Sequence, residues 1–166
     1  MRIIRYAVLL AVTVGSSLAA AQSGNWRVDA SATDGPLAQL NLPDSRGKKR
    51  GVLIAFEYAR RCDPIFSFVE LVGSRPGDPK SQSVLTGSKI GVVLNGTFYT
   101  WHAYQTIYDN GYEAGFGLPN DLVLKMLLKI DTLEYVTPSG ERVPLSTRNF
   151  DTAFREAFDI CRKRVR

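Results

Sequence analysis

Apolar and polar residues alternate along much of this chain, and the alternation gives way to a helical period near its C-terminus. From Val52 onward, Val52, Ile54, Phe56 and Tyr58 share one face of a predicted strand, and Cys62 continues that even-numbered set. Trp26 to Ala32 alternates in the same way and predicts a first strand. Ile65 to Val72 is apolar on both faces, which predicts a strand inside a sheet. Asn41 to Arg50 is polar and reads as a connection. Gly73 to Ser88, with its prolines and glycines, reads as a long loop.

Lys89 to Gly117 holds two Asn-Gly pairs, Asn95-Gly96 and Asn110-Gly111, each between strand-like runs. Both residues tolerate the positive φ of a tight hairpin turn, so the segment predicts a three-stranded meander. With two-residue turns, Leu94 faces Thr97 and Asp109 faces Tyr112. One face then collects Ile90, Val92, Leu94, Tyr99, Trp101, Ala103, Ile107, Tyr112, Ala114 and Phe116, and is the core side. The other face is mixed, with Lys89, Val93, Phe98, Thr100, His102, Tyr104, Thr106, Tyr108 and Glu113.

Pro119 to Asp131 is too long an apolar run for a typical strand and predicts a helix, with Asn120 or Asp121 as its cap. Thr132 to Thr137 and Glu141 to Leu145, joined by Pro138-Ser139-Gly140, predict a further hairpin. Phe150, Phe154, Ala157, Phe158 and Cys161 recur at helical spacing, so a last helix buries Cys161, with Thr147 or Asn149 as its cap. The expected fold is a single α+β domain over residues 22–166. It holds an antiparallel sheet of about six or seven strands, two helices and one strand-to-helix disulfide.

The N-terminus changes the picture of where this fold resides. Arg2 and Arg5 precede an apolar run, and small residues end it in an Ala-x-Ala site before Gln22, the three-part pattern of a cleaved signal peptide over residues 1–21. The uncharged run from Tyr6 to Ala21 is shorter than the roughly 20 residues that span a bilayer. Export to the periplasm or beyond is the expectation, with no transmembrane segment in the mature chain. Loss of Arg2 and Arg5 takes the formal net charge from +5 to +3, which is no strong signal for nucleic acid.

In an exported chain, two cysteines are read first as a pair. Both Cys62 and Cys161 fall on inward faces, which favours a staple. Two cysteines and one histidine are too few for a closed zinc site, and a buried, oxidised sulfur is no nucleophile. No metal or cofactor is expected.

Candidate chemistry is sparse. Ser45-Arg46-Gly47-Lys48 has the Ser-x-x-Lys pattern of penicillin-recognising enzymes, but it lies in a charged linker and lacks the partner motifs. His102, the only histidine, would need an acidic partner such as Glu113 or Asp109 to act as a base. Basic residues gather at Arg46, Lys48, Lys49 and Arg50 and again at Arg162, Lys163, Arg164 and Arg166. The best binding candidate is the outer meander face, with Phe98, Thr100, His102, Tyr104 and Tyr108 presenting rigid rings and hydroxyls. The leading expectation is a non-enzymatic exported binding protein, such as an inhibitor, immunity protein or envelope accessory factor, whose partner is a protein or envelope component. The alternatives are a small envelope-polymer hydrolase using His102, and a cationic module docking through its two basic clusters to anionic envelope polymers, lipid or polysaccharide.

Overall fold

The structure, a computed structural model, describes residues 24–73, 76–85, 90–100 and 103–165. The expected leader, residues 1–21, lies outside them. The elements in order are β1 (Arg27–Asp29), β2 (Leu37–Ser45), β3 (Lys48–Phe56), a 3-10 turn (Tyr58–Arg60), β4 (Pro64–Leu71), β5 (Pro79–Leu85), β6 (Gly91–Leu94), β7 (Thr97–Tyr99), β8 (Ala103–Tyr108), β9 (Gly111–Gly117), α1 (Asn120–Met126), β10 (Leu133–Val136), β11 (Arg142–Leu145) and α2 (Phe150–Arg164). The strands form two sheets, one ordered β1-β2-β3-β4-β9-β8-β5 and one ordered β11-β10-β6-β7. Every pairing is antiparallel.

The fold is thus mainly antiparallel β, with more strands than the six or seven expected. Two of the extra strands come from segments read as connections. Asn41 to Arg50 belongs to the β2–β3 hairpin, which turns through Arg46 and Gly47 at φ 52° and 76°. The Ser-x-x-Lys match is that turn. β5 lies inside the expected 73–88 loop; it is an edge strand exposed along most of its length, so burial imposes no alternation on it.

The expected meander is split. β6 and β7 pair in the small sheet through Asn95-Gly96, with Leu94 facing Thr97 as the spacing required. β8 and β9 belong to the large sheet, and their turn is Asp109-Asn110, so Tyr108 faces Gly111 and Ile107 faces Tyr112. Gly111 is needed in the strand: a Cβ there would collide with the Glu70 carbonyl of β4. The slip is two residues, which preserves strand parity. Each side chain of β8 and β9 therefore keeps the face that the sequence assigned to it.

Even-numbered residues of β3, β4 and β9 fill the core between the large sheet and the layer over it. Val52, Ile54, Phe56, Phe66, Phe68, Ala114 and Phe116 are all inaccessible to solvent. Tyr135 of β10 stacks on Phe66 and Phe68 at 5.8 and 5.4 Å between centroids, and its hydroxyl donates to the Ala114 carbonyl at 2.6 Å. At the other end, α2 sets Phe154 edge-on to Phe56 at 5.1 Å and Phe150 edge-on to Trp26 at 5.0 Å. Each such ring contributes about 1.5–3 kcal/mol by leaving water.

Both helices differ from expectation at their ends. α1 closes at Met126 rather than running to Asp131. Asn149 does not cap α2 through its side chain; it takes a left-handed conformation at φ 61°, and the Phe150 amide donates to the Thr147 carbonyl.

Cys62 and Cys161 form the disulfide, with Cα atoms 5.8 Å apart. The strand-to-helix description needs correction, because β3 stops at Phe56. The chain then makes a 3-10 turn and passes through two left-handed residues, Arg61 at φ 56° and Cys62 at φ 70°. Cys62 points inward because that turn rotates it, not because a strand continues. The bridge is turn-to-helix.

Candidate binding cleft on the outer sheet face

The outer face of the large sheet is built from residues of opposite parity to the core. Across its centre run Leu53, Ser67, Gly115 and Tyr104, each paired with the next on adjacent strands. Gly115 has no side chain, and this lets the Tyr104 ring lie across it toward β4. A Cβ at Gly115 would stand 2.6 Å from Ser67 Oγ and 2.9 Å from the Tyr104 hydroxyl. The space is used for a hydrogen bond: Ser67 Oγ and Tyr104 Oη are 2.8 Å apart.

One step along β9, Glu113 receives two phenols. Tyr104 donates to Oε1 at 3.0 Å and Tyr108 to Oε2 at 3.3 Å. Since Tyr104 gives its proton to the carboxylate, Ser67 is the donor to Tyr104, and the four residues form a directed chain. Burial first, and the Glu113 carboxylate second, hold the Tyr104 hydroxyl well above the usual phenol range. The same causes, in the same order, raise Tyr108. Both phenols therefore remain donors through neutral pH.

This chain of hydroxyls lies beside a cleft of about 940 Å³, within the size range of small-ligand sites. One wall is the turn that the disulfide anchors, which contributes Glu57, Arg60 and Asp63. Arg60 Nε lies 3.9 Å from Glu57 Oε2. The opposite wall is β5, with Gln82 and the exposed Val84, and Ile65 and Leu118 add apolar surface. The cleft thus offers three carboxylates, a guanidinium, an amide and apolar ground within one concavity. Among the described residues, Ser67 has a phenol rather than a base as its hydrogen-bond neighbour. Among the described residues, no group of three His, Cys, Asp or Glu side chains could hold a metal ion.

The sequence-predicted site residues are divided. Tyr104 and Tyr108 stand together at this cleft. Phe98 is on β7 in the other sheet, 42% exposed, with its ring against Gly91. Thr100 follows β7 and donates its hydroxyl to the Ile90 carbonyl at 2.6 Å, tying down the strand exit. His102 and its expected neighbour Lys89 lie outside the described residues. Asp109 sits in the β8–β9 turn, its amide donating to the Asp78 carbonyl.

Ser67, Gly115, Arg60 and Gln82 were not singled out from sequence. Two of them left a signal: Ser67 is the one hydroxyl in a strand whose only other polar side chain is Glu70, and a glycine inside a strand marks close approach.

Three of the four cations in the first basic cluster are paired with carboxylates by the fold. Lys48 pairs with Glu70 at 2.9 Å and Lys49 with Asp44 at 2.7 Å. Arg50 reaches Glu141 at 3.1 Å and Glu70 at 3.6 Å, with its guanidinium 5.3 Å above the Phe68 ring. Lys48, Arg50, Glu70 and Glu141 line a smaller cavity of about 480 Å³ with Tyr112, whose hydroxyl is pushed up to about 12 by burial and then by Glu70.

Comparison with protein-family models, curated proteins and solved structures gives no match for this chain. No helix among the described residues is long and apolar enough to cross a membrane.

Proposed function

We propose that this chain is an exported, disulfide-stapled binding protein that holds a protein or envelope component in the cleft on its outer sheet face. An inhibitor, an immunity protein and an envelope accessory factor all fit that description. The observation that carries the reading is the Ser67–Tyr104–Glu113–Tyr108 chain. It fixes a carboxylate and two phenols at one spot on a half-open face, where core packing has no use for them. Groups ordered before a partner arrives cost little to immobilise on binding. Aromatic hydroxyls and arginine are also the side chains enriched where proteins recognise one another.

Export rests on the N-terminal pattern and is consistent with the disulfide. It predicts a mature chain that begins at Gln22, which intact-mass measurement of secreted material checks. For the site, immobilised mature protein is offered an envelope extract of the producing cell, beside folded Tyr108→Ala and Glu113→Gln variants. Loss of about 2 kcal/mol on truncating a central tyrosine corresponds to roughly 30-fold weaker capture. Equal capture by all three proteins would remove the cleft as the binding site. The hydrolase alternative depends on His102, so the described geometry adds nothing in its favour.

A further inference from the structure

The disulfide joins two arginine-bearing segments as well as two sulfurs. Arg60 and Arg61 precede Cys62, while Arg162, Lys163 and Arg164 follow Cys161, and the bridged Cα atoms are 5.8 Å apart. Segments 99 positions apart thereby present five cations at one corner of the molecule. Even with Glu57, Asp63, Glu156 and Asp159 nearby in sequence counted against them, the balance is five minus four, or +1.

This cluster differs from the one at Lys48 to Arg50. Among the described residues, Arg61, Arg162, Lys163 and Arg164 have no carboxylate within 4.0 Å, and Arg60 has Glu57 at 3.9 Å. Rings order two of these side chains instead. The Arg164 guanidinium lies 4.5 Å above Tyr58 and donates to its hydroxyl at 3.4 Å, and that of Arg162 lies 5.7 Å above Phe158. The end of α2 carries only about half a unit of negative charge from its dipole, so three cations there exceed what the helix needs.

We propose that this corner docks on an anionic phospholipid surface. Arg61, Arg162, Lys163 and Arg164 are all exposed, so these cations face outward as a surface. Apolar groups are mixed with them: Val165 is 39% exposed at the helix end, and the Tyr58 and Phe158 rings under Arg164 and Arg162 are only partly buried. Cations with interleaved aromatic and aliphatic groups are the composition of interfacial anchors. Each lysine or arginine near an anionic leaflet strengthens binding about fivefold, an attraction that salt screens.

The test is co-sedimentation of the mature protein with vesicles of phosphatidylcholine alone or mixed with phosphatidylglycerol. Two variants are compared, each losing three charges. One is Arg162→Gln/Lys163→Gln/Arg164→Gln, and the other Lys49→Gln/Lys129→Gln/Arg142→Gln, which removes exposed cations elsewhere. The expected result is salt-sensitive binding to the mixed vesicles. It should be about 100-fold weaker in the first variant, from the fivefold factor per charge, and nearly unchanged in the second. Equal binding to both vesicle types, equal loss in both variants, or no vesicle binding would each overturn the proposal. Retention on an acidic polysaccharide without vesicle binding would overturn it in favour of a polymer. Tyr108→Ala should leave vesicle binding intact, so this result stands or falls separately from the cleft.

Discussion

Tyr104→Phe removes one oxygen from the middle of the outer-face chain. It leaves the Ser67 hydroxyl, on a residue only 4% exposed, without the phenol it bonds to, and takes one of two phenolic donors from Glu113. An unsatisfied buried hydroxyl costs about 1–3 kcal/mol, whereas Tyr108→Phe gives up a longer bond at a more open position and should cost about 0.5–1 kcal/mol. Gly115→Ala attacks the same bond from beneath, since its Cβ would wedge between the two oxygens. The losses from Gly115→Ala and Tyr104→Phe should therefore be less than additive in urea unfolding. Strict additivity, or equal costs for the two tyrosines, would count against the chain. At this scale the sequence was half legible. Alternation put Tyr104, Tyr108 and Glu113 on one face, and parity survived the two-residue slip in the turn. Ser67 stayed hidden because its partner lies two strands away, across a glycine whose lack of a side chain is what permits the contact.

Elements were legible where burial or a turn residue left a mark. Asn95 and Gly96 take φ 48° and 82°, as a hairpin of that sequence requires, and β4, with apolar residues on both faces, lies at the centre of the large sheet. β5 left no mark because an exposed edge needs no pattern, and Asn110-Gly111 misled because its glycine serves a close strand contact. Cys62 pointed inward for a different reason from the periodic one, through a left-handed turn after β3 had ended. That turn makes the bridge the anchor of a cleft wall. Closing a loop of this length is worth up to about 4.7 kcal/mol in the chain-entropy model. Cys62→Ser and Cys161→Ser should lower stability by similar amounts, and the double variant by little more than either. If Cys62→Ser also weakens cleft binding in a protein still folded, the bridge positions Arg60 as well as stabilising the chain. Thermal unfolding combined with the capture assay separates these effects.

Across the whole molecule, tyrosines lie on both faces of the large sheet, and the fold holds their hydroxyls protonated. Tyr135 joins the two sheets; burial, with weaker contributions from Tyr104 and Tyr112, raises its hydroxyl well above the ordinary value. Tyr112 is pushed up to about 12 by burial and then by the Glu70 carboxylate, and Tyr104 is raised on the opposite face. In an unfolded chain these phenols ionise near pH 10. Above that pH the unfolded state has released protons that the native state still binds, so the slope of stability with pH is negative. The stabilisation is complete below about pH 10 and is lost as pH rises toward the folded values, about 12 for Tyr112. Melting temperature should therefore bend downward from about pH 10, and tyrosinate absorbance of the native protein should lag that of the urea-unfolded chain. Tyr112→Phe removes one of the contributing groups from the face that also carries Glu70 and Arg50. That variant should show a shallower alkaline decline than wild type. A decline of unchanged steepness would mean that other groups, and not this phenol held between the sheet and the β10–β11 hairpin, set the alkaline limit.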